Sequence, residues 1–202
     1  MKPSLRAFAL GVLLAAPSLS DSAAKVTYSE KTIHYTVSGR TGQEIYAQIA
    51  RKGPKLTGQR DHKVATTGMM FDVRGIKAGI RGTRCVVTGL DVHVTFTYRI
   101  PKWTGKGSAS VRKAWTAFEA HLWRHEKRHR DIALEYARRI ERDILRLKGD
   151  ARQECAGMVE QAKRQSTSSE AWHERKQASF DASWFGDGGQ QFKYDRALIS
   201  AK

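Results

Sequence analysis

The stretch "HLWRHEKRHRDIALEY", residues 121–136, lies within a long run, residues 108–147, that contains neither proline nor glycine. Such a run predicts one long helix, because these two residues are the strongest helix breakers. The stretch holds two histidines four residues apart, with a glutamate directly after the first. Whether these residues form a metal site or a polar surface depends on the face of the helix that they occupy.

The apolar residues of the run define that face. They recur at spacings of four, three and four, and they are Val111, Trp115, Phe118 and Leu122. The same spacing continues to His125, His129, Ile132 and Tyr136, so both histidines occupy positions where the pattern expects a core residue. Side chains four residues apart lie one turn apart on the same face, and two such imidazoles can reach one metal ion. The pattern therefore predicts inward-facing histidines.

The three polar residues match the His-Glu-x-x-His motif of zinc hydrolases. His125 and His129 are predicted as ligands of Zn²⁺, and Glu126 as the general base that acts on a zinc-bound water. The alternative is a pair of histidines packed in the core without a metal. Two buried imidazoles without partners would each carry a desolvation cost, which favours the metal site.

A tetrahedral zinc site needs a third protein ligand. Glu135 follows His129 by six residues, but an unbroken helix through Ile132 turns it away from the histidine face. His121 lies one turn before His125 and could flank the site. Three residues on later predicted helices stay open as ligands: Glu154, Glu160 and His173.

The part of the chain before the long helix predicts a small antiparallel sheet with a short helix. Residues 26–37 and 64–73 are rich in β-branched and aromatic residues, which is typical of strands. Thr41 and Glu44 have the spacing of a capping box, so a short helix is expected after Thr41. Strict alternation of apolar and polar residues over 90–100 predicts a strand with one buried face.

After the long helix, two further helices are predicted. The first covers about residues 151–163, and the second follows a polar linker in which Thr167 and Glu170 again have capping-box spacing. The predicted fold class is therefore α+β, in one domain of residues 25–202. That domain comprises an α+β part (25–104), a helical part (108–185) and a glycine-rich, loop-like tail (186–202).

Residues 1–24 have the pattern of a signal peptide. Two basic residues, Lys2 and Arg6, precede an apolar segment of residues 7–16, and small residues follow at a suitable cleavage site. No later segment is long and apolar enough to span a membrane. The two cysteines, Cys85 and Cys155, are predicted to form a disulfide in an oxidising compartment. A secreted or periplasmic location is expected.

Four segments are similar to a bacterial family of unknown function whose members are described as predicted secreted zinc-dependent proteases. They are "HYTVSGRTGQEIYAQIARKGP" (34–54), "YRIPKW" (98–103), "HEKRHRDIALEYARRI" (125–140) and "FDASWFGDGGQ" (180–190). In that family the last segment reads Tyr-Asp-x-x-Thr-x-His-Gly, and its histidine is the natural third ligand. Here Phe180 and Asp181 keep the start of this pattern. With one inserted residue Asp187 falls on the histidine position, so the resemblance implies Asp187 as the third ligand.

These observations predict a secreted or periplasmic zinc metallopeptidase that hydrolyses a protein or peptide substrate. The alternative is an inactive relative, a cationic envelope protein that binds an acidic polymer or a protein partner without catalysis. The formal net charge of +16, from 36 Lys and Arg against 20 Asp and Glu, favours anionic partners in either case. No nucleic-acid recognition module is present in the sequence, and no nucleic-acid partner is expected.

Overall fold

A computed structural model describes residues 25–58, 61–151, 155, 157–185 and 189–202. Within these residues the elements are β1 (Lys25–Val37), α1 (Gly42–Lys52), β2 (Thr66–Arg81), β3 (Arg84–Trp103), α2 (Ala109–Leu145), β4 (Lys148–Asp150), α3 (Met158–Thr167), α4 (Glu170–Phe185) and α5 (Gln190–Ile199). The predicted combination of a small sheet, a long helix and further C-terminal helices is confirmed. The predicted signal peptide, residues 1–24, lies outside the described residues.

β3 is the central strand of the sheet, and the strand order is β1-β3-β2. β2 pairs with β3 in the antiparallel sense, as predicted, and β4, for which no strand was predicted, does so as well. β1, however, runs parallel to β3 from Lys25↔Asp91 to Val37↔Trp103. The sheet is therefore mixed, and the prediction of a wholly antiparallel sheet is wrong for β1. Parallel pairing needs a long connection, and α1 and β2 together supply it between β1 and β3.

α2 is the element on which both parts of the core pack. Its N-cap is Ser108, whose hydroxyl accepts a 3.3 Å hydrogen bond from the backbone N–H of Val111. The C-terminal half of α2 packs on the buried face of β3, whereas the N-terminal half packs on α1 and α5. The predicted stripe is confirmed, since Val111 and Phe118 are fully buried and Leu122 is 3% exposed.

The predicted disulfide between Cys85 and Cys155 is present, with 5.3 Å between the two Cα atoms. It joins the start of β3 to the segment before α3. The helix predicted from about residue 151 begins only at Met158. Cys155 and Gly157 have φ values of 58° and 76°, and an α-helix cannot run through this left-handed region.

The end of the chain is folded as a helix, so the predicted loop-like tail is wrong for residues 190–199. Leu198 of α5 is fully buried against α1. α5 lies so close to α1 that a Cβ at Gly42 would be 1.6 Å from the backbone oxygen of Leu198. Residues 190–199 are therefore part of the packed fold, because Leu198 is buried against α1.

The helices relate to membrane crossing, and the disulfide relates to the compartment. Among the described residues, no helix has both the length and the apolar character needed to cross a bilayer. The disulfide favours an oxidising compartment, because cytosolic proteins are kept reduced. It is consistent with a location outside the cytoplasm.

Candidate metal centre

α2 and α4 bring three ligating side chains together: His125, His129 and Asp181. The two Nε2 atoms of the histidines are 3.0 Å apart, and Asp181 Oδ1 lies 3.3 Å from His125 Nε2 and 3.0 Å from His129 Nε2. The side chains of His125 and His129 are 6% and 13% exposed. The predicted inward orientation of both histidines is therefore confirmed.

The chemistry of these three atoms fits a metal ion. Asp181 Oδ1 is buried, yet it makes no well-aligned hydrogen bond within the described part of the chain. Two imidazole nitrogens and one carboxylate oxygen form a ligand set that suits Zn²⁺ and several other first-row divalent ions. The cluster could hold such an ion, and its donor atoms do not select one identity.

Asp181 and the two histidines also affect each other's pKa values. Burial alone would raise the pKa of Asp181, but attraction to His125 and His129 outweighs it and holds that pKa well below its usual range. Burial would lower the pKa of His129, but Asp181 and Gln177 outweigh it and raise that pKa. Both directions report the same attraction, so Asp181 is an anionic oxygen facing two imidazoles.

Glu126 lies beside this cluster and is 2% exposed. Its Oε2 accepts a 2.6 Å hydrogen bond from the hydroxyl of Thr67 on β2. Burial raises the pKa of Glu126 above its ordinary value, although Thr67 and the two nearby histidines oppose this. A carboxylate in such surroundings can both take and release a proton, as a general base and acid requires.

A pocket of about 480 Å³ opens onto these residues, which is within the usual size range of ligand sites. Its polar end contains His125, Glu126, His129 and Asp181. Much of its remaining wall is apolar and consists of Leu56, Val64, Ala65, Met69, Leu122 and Phe185. The pocket can therefore hold an apolar group beside the polar end that contains the candidate metal ligands.

Aromatic rings of α4 cover the histidines. Phe180 stacks on His125, with 4.8 Å between ring centroids, and meets His129 edge-on at 5.1 Å. Trp184 lies 5.0 Å from the ring of His125. These contacts restrict the orientation of both imidazoles.

The sequence patterns did not identify Asp181 as a ligand. The available signal was its place in the Phe180-Asp181 pair, which keeps the start of the family pattern. The predicted ligand Asp187 and the candidate Glu154 both lie outside the described residues. Asp187 therefore stays a prediction.

The other candidate ligands are placed elsewhere. His121 is fully buried between the rings of Trp184 and Tyr194, at centroid distances of 4.6 and 4.0 Å. His173 is also buried and stacks on Tyr136. Glu160 forms a surface ion pair with Lys163 at 2.7 Å, and Glu135 is exposed. None of these four belongs to the cluster within the described part of the chain.

Comparison with known proteins identifies the family. No curated protein and no solved structure matches the chain. The family described as "Bacterial protein of unknown function (DUF922)" matches residues 32–188, which extend from the second half of β1 through α4 and include all three residues of the cluster. Because this match covers most of the sequence, the chain belongs to the DUF922 family of bacterial proteins.

Proposed function

We propose that this protein is a metal-dependent peptidase that hydrolyses peptide bonds in the periplasm or outside the cell. One observation carries the proposal. His125, His129 and Asp181 converge within hydrogen-bond distance of one another, and the buried carboxyl of Glu126 lies beside them in the same pocket. Metal ligands and a general base at one end of a pocket are the parts that metal-assisted hydrolysis needs.

His125, His129 and Asp181 would hold the metal, with Zn²⁺ as the proposed ion. When bound, Zn²⁺ acts as a Lewis acid that polarises a carbonyl and lowers the pKa of a coordinated water. Asp187, which the resemblance implies as the third ligand, is retained as the alternative to Asp181 in that position. The anionic Asp181 also offsets part of the charge of a divalent ion in this buried site.

Glu126 is the proposed general base and acid. Thr67 donates to Oε2 of Glu126, so Oε1 is the atom assigned to accept a proton from the attacking water. Glu126 then delivers that proton to the nitrogen of the leaving amine. Its raised pKa suits this exchange, because the best catalytic groups titrate close to the working pH.

The pocket indicates how a substrate would bind. Its apolar wall favours a peptide with an apolar side chain next to the scissile bond, since burial of that side chain contributes binding free energy. The predicted signal peptide and the disulfide support a substrate outside the cytoplasm. A protein or peptide is therefore the proposed partner.

A second candidate function rests on charge. The net charge is +16, and exposed basic residues follow the outer side of α2: Arg124, Lys127, Arg128, Arg138 and Arg142. A non-catalytic envelope protein with this surface would bind an acidic polymer or an acidic partner. Such binding would weaken with added salt and would need no metal.

The two functions are separated by the variant Glu126→Gln, tested on unfolded protein substrates with the zinc-loaded protein. Glu126→Gln should keep the metal and lose about 100-fold or more of the hydrolysis rate, because it removes only the proton acceptor. The control Glu135→Gln makes the same change at an exposed position of α2 and should cleave normally. Hydrolysis by Glu126→Gln at the wild-type rate would contradict the proposal.

A further inference from the structure

Gln177 connects α4 to His129 of the metal cluster through two polar contacts, and a third joins it to His173 on the same helix. Its Oε1 lies 2.6 Å from His129 Nδ1. Its Nε2 lies 3.1 Å from the backbone oxygen of His129 and 2.9 Å from His173 Nε2. His173, Gln177 and Asp181 follow one another at four-residue intervals and therefore lie along one face of α4. Gln177 thus holds both the side chain and the backbone of one proposed ligand.

The backbone oxygen of His129 determines the orientation of the Gln177 amide. A carbonyl oxygen can only accept a hydrogen bond, so the amide atom that faces it must be the donor Nε2. The reversed amide would place two acceptor oxygens at that 3.1 Å separation. Oε1 is therefore the atom that faces the imidazole.

The amide orientation in turn determines the tautomer of His129. Oε1 can only accept, so the Nδ1 atom of His129 must carry a proton. A neutral imidazole has one N–H, and its other nitrogen has a lone pair. In the neutral ring, the form that binds a metal, the lone pair is therefore on Nε2, the atom that lies 3.0 Å from Asp181 Oδ1.

We propose that Gln177 is a positioning residue that holds His129 in its Nδ1–H tautomer, with the Nε2 lone pair directed at the metal. This inference rests on the metal site of the proposed function. Gln177 itself contacts no reacting atom. Residues that orient a ligating histidine in this way typically change metal affinity by about 10- to 100-fold when they are removed.

Two features of the surroundings support this role. Gln177 Nε2 can only donate, so His173 Nε2 accepts, and the stacking of His173 on Tyr136 at 4.7 Å keeps it in place. In contrast, Nδ1 of His125 is buried without a hydrogen-bond partner among the described residues. Of the two histidines, His129 is thus the one whose tautomer the structure assigns through a hydrogen bond.

Zinc affinity, measured by competition with a chelator, tests the role of Gln177. Gln177→Met keeps the length of the side chain and removes both polar groups, so Zn²⁺ should bind about 10- to 100-fold more weakly. Gln177→Glu keeps an acceptor for Nδ1–H and should bind Zn²⁺ more tightly than Gln177→Met. The control Gln161→Met makes the same change on the exposed side of α3 and should bind like the wild type.

The tautomer is measured directly from ¹⁵N chemical shifts of the metal-free protein at alkaline pH, where the imidazole is neutral. Wild-type His129 should show the Nδ1–H form, and Gln177→Met should shift it toward Nε2–H. The Nε2–H form in the wild type, or equal zinc affinity in Gln177→Met, would overturn the inference. If the wild type bound no zinc, the proposed function would fail, and the tautomer would still decide the role of Gln177.

Discussion

The hydroxyl of Thr67 donates a 2.6 Å hydrogen bond to Oε2 of Glu126 and so joins the sheet to α2 inside the candidate site. Thr67 lies on β2, which pairs with β3 alone among the described strands. The orientation of the proposed base therefore depends on a contact between two elements, and the helix that carries the His-Glu-x-x-His motif does not hold it alone.

Thr67→Val should lower the rate of peptide hydrolysis by about tenfold without reducing zinc binding. The substitution keeps the shape of the side chain and removes the donor, so the Glu126 carboxylate loses the bond that orients it. Rates and metal content should be measured together. Thr32→Val, at an exposed position of β1, is the control and should behave like the wild type. An unchanged rate in Thr67→Val would mean that this bond does not position the base.

Leu56→Asp should raise KM for substrates with an apolar residue beside the scissile bond. Leu56 is 42% exposed and lines the pocket, so a charge there would disfavour an apolar group without distorting the core. Ile80→Asp is the matched control, because Ile80 is 56% exposed and lies near the far end of β2. Equal KM values for the two variants would argue against substrate binding in this pocket.

Reduction of the Cys85–Cys155 disulfide should lower the free energy of unfolding by about 4 kcal/mol. The bridge spans 70 residues, and a loop of that length restricts the unfolded chain by this amount in the chain-entropy model. Thermal melting with and without a reductant measures the effect. The double variant Cys85→Ser/Cys155→Ser should melt at the temperature of the reduced wild type, and the reductant should not change that temperature. A wild-type melting temperature that stays the same after confirmed reduction would contradict the prediction.

Protonation of His121 should destabilise the fold in mild acid. Burial, together with the nearby Arg124 and His125, lowers the pKa of His121 from 6.5 to about 4. The unfolded chain therefore binds the proton more tightly. The stability that the neutral ring contributes is complete above pH 6.5 and is lost as the pH falls through 6.5 toward about 4.

His121→Phe keeps an aromatic ring between Trp184 and Tyr194 and removes the titrating group. The free energy of unfolding, measured with urea between pH 7 and pH 4, should then fall less steeply than in the wild type. The same pH dependence in both proteins would show that His121 does not contribute to it.

The face of α2 could be predicted from the sequence because it depends on local periodicity. The stripe from Val111 to Leu122 extends directly to His125 and His129, and burial follows from the helix geometry alone. The position of Asp181 could not be derived in this way, since it depends on how α4 packs against α2. The apolar residues of α4 are spread around the helix and define no single inner face; they are Ala171, Trp172, Ala178, Phe180, Ala182, Trp184 and Phe185.

Contacts between residues far apart in the sequence account for the other differences between the predicted and the observed fold. The parallel alignment of β1 with β3 is decided by contacts between residues more than sixty positions apart, such as Lys25 with Asp91. The glycines that precede α5 led to the prediction of a loop-like tail. Leu198 and its neighbours nevertheless form a helix that packs on α1. Local sequence patterns predicted the elements whose conformation depends on neighbouring residues. The direction of β1 and the formation of α5 depend on tertiary packing, which these patterns do not contain.

The most direct test of the central claim is the metal content of the purified protein after dialysis against buffer with limiting Zn²⁺. The wild type should retain about one zinc per chain, and Asp181→Ala should retain far less, because it removes one of three converging ligand atoms. Asp131→Ala removes an α2 carboxylate that pairs with Arg130, and it should retain zinc like the wild type. Equal zinc content in the wild type and Asp181→Ala would contradict the account.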